Sequence, residues 1–129
     1  YFAEVGYRLP IHASATGRAI LCQFAPAERQ SLYRKIAFER YSDTTPVSIE
    51  AVEAELRRST SRGYCFSKRD FSPDLVGVAL PFPVGQRRLS IVVAGPEFRC
   101  LERASEFAAI ISRAIERFTI SLPNQNTAD

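Results

Sequence analysis

Residues 74–98, Asp74-Leu-Val-Gly-Val-Ala-Leu-Pro-Phe-Pro-Val-Gly-Gln-Arg-Arg-Leu-Ser-Ile-Val-Val-Ala-Gly-Pro-Glu-Phe98, decide the fold. Two apolar runs, 75–82 and 89–94, flank a turn region that holds Pro83, Gly85 and the pair Arg87-Arg88. Short runs rich in Val and Ile and bounded by Gly and Pro read as strands. A connection this short has no room for a crossover helix, so the two strands are expected to be antiparallel. Neither run alternates cleanly between apolar and polar residues, which predicts central strands covered on more than one side. A two-stranded unit is marginal by itself, so the rest of the chain must cover it.

The chain has 129 residues, enough for one domain with a real core. A hydrophobic fraction of 46% argues against disorder. No apolar run is as long as a membrane span, and the amino terminus has no signal-peptide pattern; a cytoplasmic protein is expected. Tyr1 is not a natural start of translation, so the chain is expected to be part of something longer. The net charge of +3 is modest, and the basic residues are scattered among acids rather than gathered into a phosphate-binding face. Cys22, Cys65 and Cys100 are odd in number and widely spaced, without a metal-pairing pattern. They are expected to be reduced and partly buried, and no metal or cofactor is expected.

Outward from the strand pair, the pattern becomes helical. Residues 1–5 alternate loosely, as a weak edge strand would. Ala19, Ile20 and Phe24 suggest a short buried helix that Ser14 or Thr16 can cap. Gly17 near its first turn implies close packing against a strand or a ligand. A second helix is expected from Pro26, a residue favoured at the first helical position, through Leu32 and Ile36 to about Arg40. A third runs from a Ser48 cap, with Ile49, Val52 and Leu56 on one stripe, to Gly63 in the left-handed conformation. Residues 64–67 read as a short strand. One long helix is expected from Glu97 to Phe118, its stripe formed by Leu101, Ala104, Ala108, Ile111 and Ile115, with Phe98, Phe107 and Ile110 extending it. Residues 121–129 read as a polar tail.

The segment Leu9-Pro-Ile-His-Ala-Ser-Ala-Thr-Gly-Arg-Ala-Ile-Leu21 strongly resembles the opening of the ligand-binding domain of IclR-type transcriptional regulators, which carry a Pro-x-His-x-x-Ala-x-Gly-Lys/Arg-Ala pattern. Arg62-Gly-Tyr64 resembles the end of that family's middle helix, Ala79-Leu-Pro81 its Ala-Ala-Pro strand, and Ala94-Gly-Pro96 its Ser-Gly-Pro turn. The order is the family's, across residues 6–118. The resemblance implies an α/β domain of α+β type, a GAF-like antiparallel sheet flanked by helices, spanning residues 1–120. It also implies that the earliest strands, and a separate winged helix-turn-helix domain that alone touches DNA, lie outside the chain. The implied role is a sensor, with a small organic or aromatic acid as effector and a homodimer or homotetramer as the assembly.

Departures from the family pattern shape the expected site. An acidic residue of several relatives corresponds to Ser67, a Cys to Gly77, and two serines to Val92 and Ala94. Losing two hydroxyls makes a glyoxylate- or pyruvate-sized acid doubtful and favours an apolar pocket for an aromatic or larger acid. Its charge would be held by backbone N–H groups near Ala15, Thr16 and Gly17, or by Arg18. The expected effector-binding set is therefore Ala15, Thr16, Gly17, Arg18, Ser67, Gly77, Val92 and Ala94.

Each member also has a plainer reading. Val92 and Ala94, on one face of a strand, are ordinary core residues; Ser67 can cap local backbone; Gly77 can merely tolerate a neighbour; Arg18 can be a solvated charge. His12 lies near Ser14 in sequence, but no acid is visibly placed to orient it as a base, so a structural role at the helix entry is expected rather than catalysis. Asp70 and Asp74 are expected to shape a loop, Arg87-Arg88 to decorate a solvated turn, and the charges on the last helix to pair in solvent. An enzyme on the same scaffold, or a dimerisation module with a filled pocket, are the competing functions.

Overall fold

The computed structural model describes residues 4–121, so most of the expected polar tail and the first three residues of the expected edge strand lie outside the described residues. Val5 belongs to a turn. Three strands, β1 (Cys65–Lys68), β2 (Leu75–Val84) and β3 (Arg87–Pro96), form an antiparallel sheet in the order β1-β2-β3. Val84 pairs with Arg87, so the hairpin turns on Gly85 and Gln86 alone. Gly85 has φ +58, the left-handed value that the first connecting residue of a type II′ turn needs. Pro81, inside the first apolar run, and Pro83, placed by sequence in the turn region, both lie within β2. They are tolerated because β1 stops opposite Ala79, leaving no neighbour on that side for the N–H they lack. The expectation of two covered strands holds for β2, whose residues Val76–Ala79 are buried on both faces. It fails for β3, an edge strand among the described residues, half exposed along its length.

Helices cover both faces. Ser14 caps α1 (Ala15–Leu21), its Oγ accepting from the Gly17 N–H at 3.0 Å. α2 runs Pro26–Tyr33, with Glu28 accepting from the Ala25 N–H at 3.0 Å. It ends well short of the expected Arg40: Leu32 and Ile36 pack as separate pieces against Leu21, Tyr33, Val52 and Leu56 rather than as one stripe. α3 (Ile49–Arg62) is capped by Ser48 and closed by Gly63 at φ +94, as the sequence predicts. The expected long last helix is interrupted. α4 (Glu97–Cys100) passes through a 3₁₀ turn, Leu101–Arg103, into α5 (Ala104–Ser121). Ala104, Ala108 and Ile111 of α5 are buried, but Phe98 is 83% exposed and Ile110 is exposed too, so neither extends the stripe.

Alternation along the strands sorts side chains by size. Phe66, Val78, Leu80, Ile91 and Val93 face α5 and form one core with Ala104, Ala108 and Ile111. The opposite face, toward α1, carries the intervening residues Cys65, Ser67, Gly77, Ala79, Ser90, Val92 and Ala94. Ser67, Gly77 and Ala94 pair in register and form a row across the three strands. Most of that face is small, so α1 approaches the sheet closely and space remains beside its first turn.

Candidate functional site

That space is a cavity of about 50 Å³ between the start of α1 and the row Ser67–Gly77–Ala94. Leu9, Ala13, Ala15, Phe71, Leu75 and Val92 give it apolar walls, while Ser14, Thr16, Ser67 and Ser72 bring hydroxyls. Among the described residues no charged side chain lines it. Val92 and Ala94, on the edge strand, are exposed where the cavity meets solvent. A wider depression of about 700 Å³ lies along Asp74, Pro96–Arg99 and Leu101–Arg103. It is an open surface trough in which charged side chains alternate with Pro96, Phe98 and Leu101.

Of the eight residues expected from sequence, the fold brings Ala15, Thr16, Ser67, Gly77, Val92 and Ala94 around this one cavity. Gly17 and Arg18 are elsewhere. A Cβ on Gly17 would fall 2.5 Å from the Ile11 carbonyl oxygen. The close approach expected there is to the chain's own preceding turn, neither to a strand nor to a ligand. Arg18 is neither an anion-binding group at the cavity nor a solvated charge. It is wholly buried, donating to the Asp70 carboxylate at 2.9 Å, the Phe66 carbonyl at 2.6 Å and the His12 carbonyl at 3.2 Å. Its helical position turns it away from Thr16 and under the loop at residues 69–74, and Asp70 neutralises it there.

That loop supplies the lining residues that the sequence reading missed, Phe71 and Ser72. Arg69 and Asp74 bracket it with φ +62 and +61, left-handed values uncommon outside glycine. Neither residue type announced them. Several bonds fasten the loop. The Thr45 hydroxyl donates to the Asp70 carbonyl at 2.6 Å, and the Glu97 N–H donates to the Asp74 carbonyl at 2.7 Å. Glu97 also pairs with Arg69 at 2.6 Å and Lys68 at 3.6 Å; the Arg69 hydrogen bond holds its carboxyl below the ordinary carboxylate range. Leu9, Ala13, Ser14 and Leu75 were also missed; Ser14 was visible only as a cap, and its Oγ donates to the Pro10 carbonyl at 2.9 Å. Thr16 is hydrogen-bonded to Ser90, which ties α1 to β3.

His12 is buried, with Nε2–H donating to the Glu39 carbonyl at 2.9 Å and the ring edge against Phe38 at 5.6 Å. No carboxylate orients it, so the geometry of a general base is missing. Arg88 is less free than a solvated turn residue, lying over the Phe24 ring at 4.1 Å and pairing with Glu28 at 2.9 Å. On the last helices, Arg103 and Glu106 pair in solvent at 3.0 Å. Among the described residues no group of His, Cys, Asp and Glu could hold a metal ion, and no helix is long and apolar enough to cross a membrane.

Comparison with known proteins agrees with this geometry. The family model for the C-terminal region of bacterial IclR transcriptional regulators matches residues 1–119. The transcriptional repressor IclR of Escherichia coli K12 is 28% identical over 122 residues, which is 92% of this chain but 44% of the repressor; the chain thus spans less than half of that relative. Among solved structures, the C-terminal domain of the E. coli regulator KdgR superposes with a TM-score of 0.78 at 23% identity, covering 86% of this chain and 70% of that one. An IclR homologue of Microbacterium hydrocarbonoxydans, crystallised with 4-hydroxybenzoate, gives a TM-score of 0.74 at 23% identity, covering 91% and 49%. These relatives are regulators of transcription, not enzymes, and the α+β fold is theirs.

Proposed function

Because the chain belongs to the IclR family of bacterial transcriptional regulators through its C-terminal domain, we propose that it is the effector-sensing part of such a regulator, with the cavity beside α1 as the sensing site. The observation that carries this reading is the cavity's lining: apolar walls with the hydroxyls of Ser14, Thr16, Ser67 and Ser72 among them. The first N–H groups of a helix have no partner within it. Ser14 takes up that of Gly17, leaving those of Ala15 and Thr16 available to a carboxylate, together with the Ser67 hydroxyl. The apolar remainder suits the body of an aromatic or comparably apolar acid, and the Microbacterium homologue's 4-hydroxybenzoate complex supports that class. About 50 Å³ is a third of the roughly 150 Å³ that holds a benzene ring in an engineered protein cavity. An aromatic guest therefore requires Phe71 and its loop to move outward.

On this reading a guest favours one arrangement of the loop and shifts the population toward it. DNA contact belongs to a winged helix-turn-helix domain elsewhere in the full-length cytoplasmic regulator, which acts as a dimer or tetramer. Calorimetric titration of the chain with 4-hydroxybenzoate, benzoate and pyruvate tests the proposal. Saturable binding of the aromatic acids, with pyruvate weaker by at least tenfold, is expected. Binding of pyruvate alone would overturn the aromatic assignment. The absence of saturable binding by all three would leave a scaffold with a packing void, the rival that the small volume favours.

A further inference from the structure

Behind the cavity two thiols meet. Cys22 follows the last turn of α1 and Cys65 opens β1. Cys22 packs against the cluster formed by Ala15, Ala19, Cys65 and Ala79, and the two side chains lie within hydrogen-bonding reach. Their exposures differ. Cys65 is 1% exposed, whereas Cys22 borders an open groove of about 590 Å³ with Arg29, Leu56 and Arg57. A reagent arriving from solvent therefore meets one sulfur, and the second stands directly behind it. Cys100 is not part of this pair; its sulfur packs against Gly95, 2.6 Å from where a Cβ would stand.

We propose that Cys22 and Cys65 form a reversible intramolecular disulfide in response to hydroperoxides, giving the domain a redox input separate from its effector. Cellular disulfides outside oxidising compartments are characteristically transient and redox-sensing. The proton distribution suits the chemistry. The hydrogen bond from Cys22, then that from Ser59 and the charges of Arg18 and Arg62, outweigh burial and hold the Cys65 thiol below its ordinary range. The same contact and its own burial push Cys22 up, so that it keeps its proton. In the first step Cys22 gives its proton to hydroxide from solvent and its sulfur attacks the distal oxygen of the hydroperoxide. The O–O bond breaks, and the alkoxide leaves and takes a proton from solvent, becoming the alcohol. The Cys65 thiolate then attacks the sulfenic sulfur of Cys22; the S–O bond breaks and hydroxide departs, taking a proton from solvent to become water. Two sulfurs have lost two electrons in total, and the hydroperoxide has been reduced to alcohol and water.

The new bond would join elements that both reach the cavity, α1 through Ala15 and Thr16, β1 through Ser67. Hydrogen peroxide treatment of the native chain, followed by thiol titration in denaturant and peptide mass spectrometry, is the test. Titratable thiols are expected to fall from three to one, with a Cys22–Cys65 cross-linked peptide that dithiothreitol dissolves and a rate that rises with pH. Cys22→Ser and Cys65→Ser should each abolish the cross-link. Retention of all three thiols, or oxidation of a single cysteine to the sulfinate without a cross-link, would overturn the proposal. Because the readout is on the native chain, it stands even if a variant fails to fold, and it needs no effector.

Discussion

Gly77→Ala separates the cavity's contribution to binding from its contribution to folding. Gly77 does not have a positive φ, so alanine can adopt its backbone without strain. The added Cβ would sit 3.4 Å from the Ala15 Cβ and 4.0 Å from the Ser67 Cβ, ordinary contact with two cavity-lining side chains. Burying one methyl contributes about 0.8 kcal/mol, and removing a glycine from the unfolded chain adds about 0.4–1 kcal/mol. The variant should therefore be more stable by roughly 1–2 kcal/mol, a rise in Tm of about 4 °C or more for a domain of this size. The same methyl displaces roughly the volume of a water molecule, about 30 Å³, from a cavity of about 50 Å³. Affinity for 4-hydroxybenzoate should fall at least tenfold, about 1.4 kcal/mol. Thermal melts and calorimetric titration measure both. A variant that melts higher and still binds as tightly as the native chain would refute the assignment of this cavity. A variant that melts lower would refute the packing argument.

Arg18→Met should be severely destabilising in urea unfolding, by about 3–5 kcal/mol, because it strands the buried Asp70 carboxylate; a cost no greater than that of Arg57→Met on the surface would contradict the burial argument. Gly17→Ala should lower Tm despite alanine's advantage of about 1 kcal/mol in helices, because its Cβ meets Ile11 backbone atoms at 2.5 and 2.6 Å, and backbone cannot step aside as a side chain can. An unchanged melt would show that α1 shifts freely. Glu97 should make stability fall in acid. Its folded-state carboxyl titrates below the ordinary 4.5, so its contribution is complete above that value and is lost as pH falls through the depressed one. Glu97→Gln should flatten that part of the pH profile, and an unaltered profile would assign the acid sensitivity elsewhere.

The hairpin, the caps at Ser14 and Ser48, Gly63 and the small face of the sheet were legible in the sequence because each depends on local chemistry or on a period of two residues. What brings Thr16 to Ser67 and Gly77 is long-range packing, and it was reached through motif order rather than through spacing. The errors share a cause. Arg18 carries the most polar side chain of its helix, so an exposed or ligand-facing role was expected. Its burial depends on Asp70, 52 positions away, and no local pattern marks that pairing. Phe71 and Ser72 were missed for a related reason: the loop is held by Arg69 and Asp74 in left-handed conformations, which aspartate tolerates but which nothing about an arginine announces. The break at Leu101–Arg103 interrupts a run whose apolar spacing continues across it, so periodicity joined α4 to α5.

Loop 69–74 is fastened unequally, and the inequality decides where a guest's effect can go. On the inner side Asp70 is tied to Arg18 of α1 and to Thr45 in buried contacts. Breaking a buried pair leaves a charge without a partner, at a cost of about 3–5 kcal/mol. On the outer side Arg69 and Lys68 reach Glu97 through partly exposed ion pairs, which solvent screens and which hold little, beside one backbone bond from the Glu97 N–H to the Asp74 carbonyl. A guest that displaces Phe71 therefore moves the loop by yielding at Glu97, while Asp70 and α1 stay in place. Glu97 opens α4, whose next residue is Phe98, 83% exposed. The candidate cavity is thus linked by its weaker ties to the exposed Phe98. The conformational signal on the proposed reading leaves through α4, with the rigid α1–Arg18–Asp70 unit serving as its fulcrum.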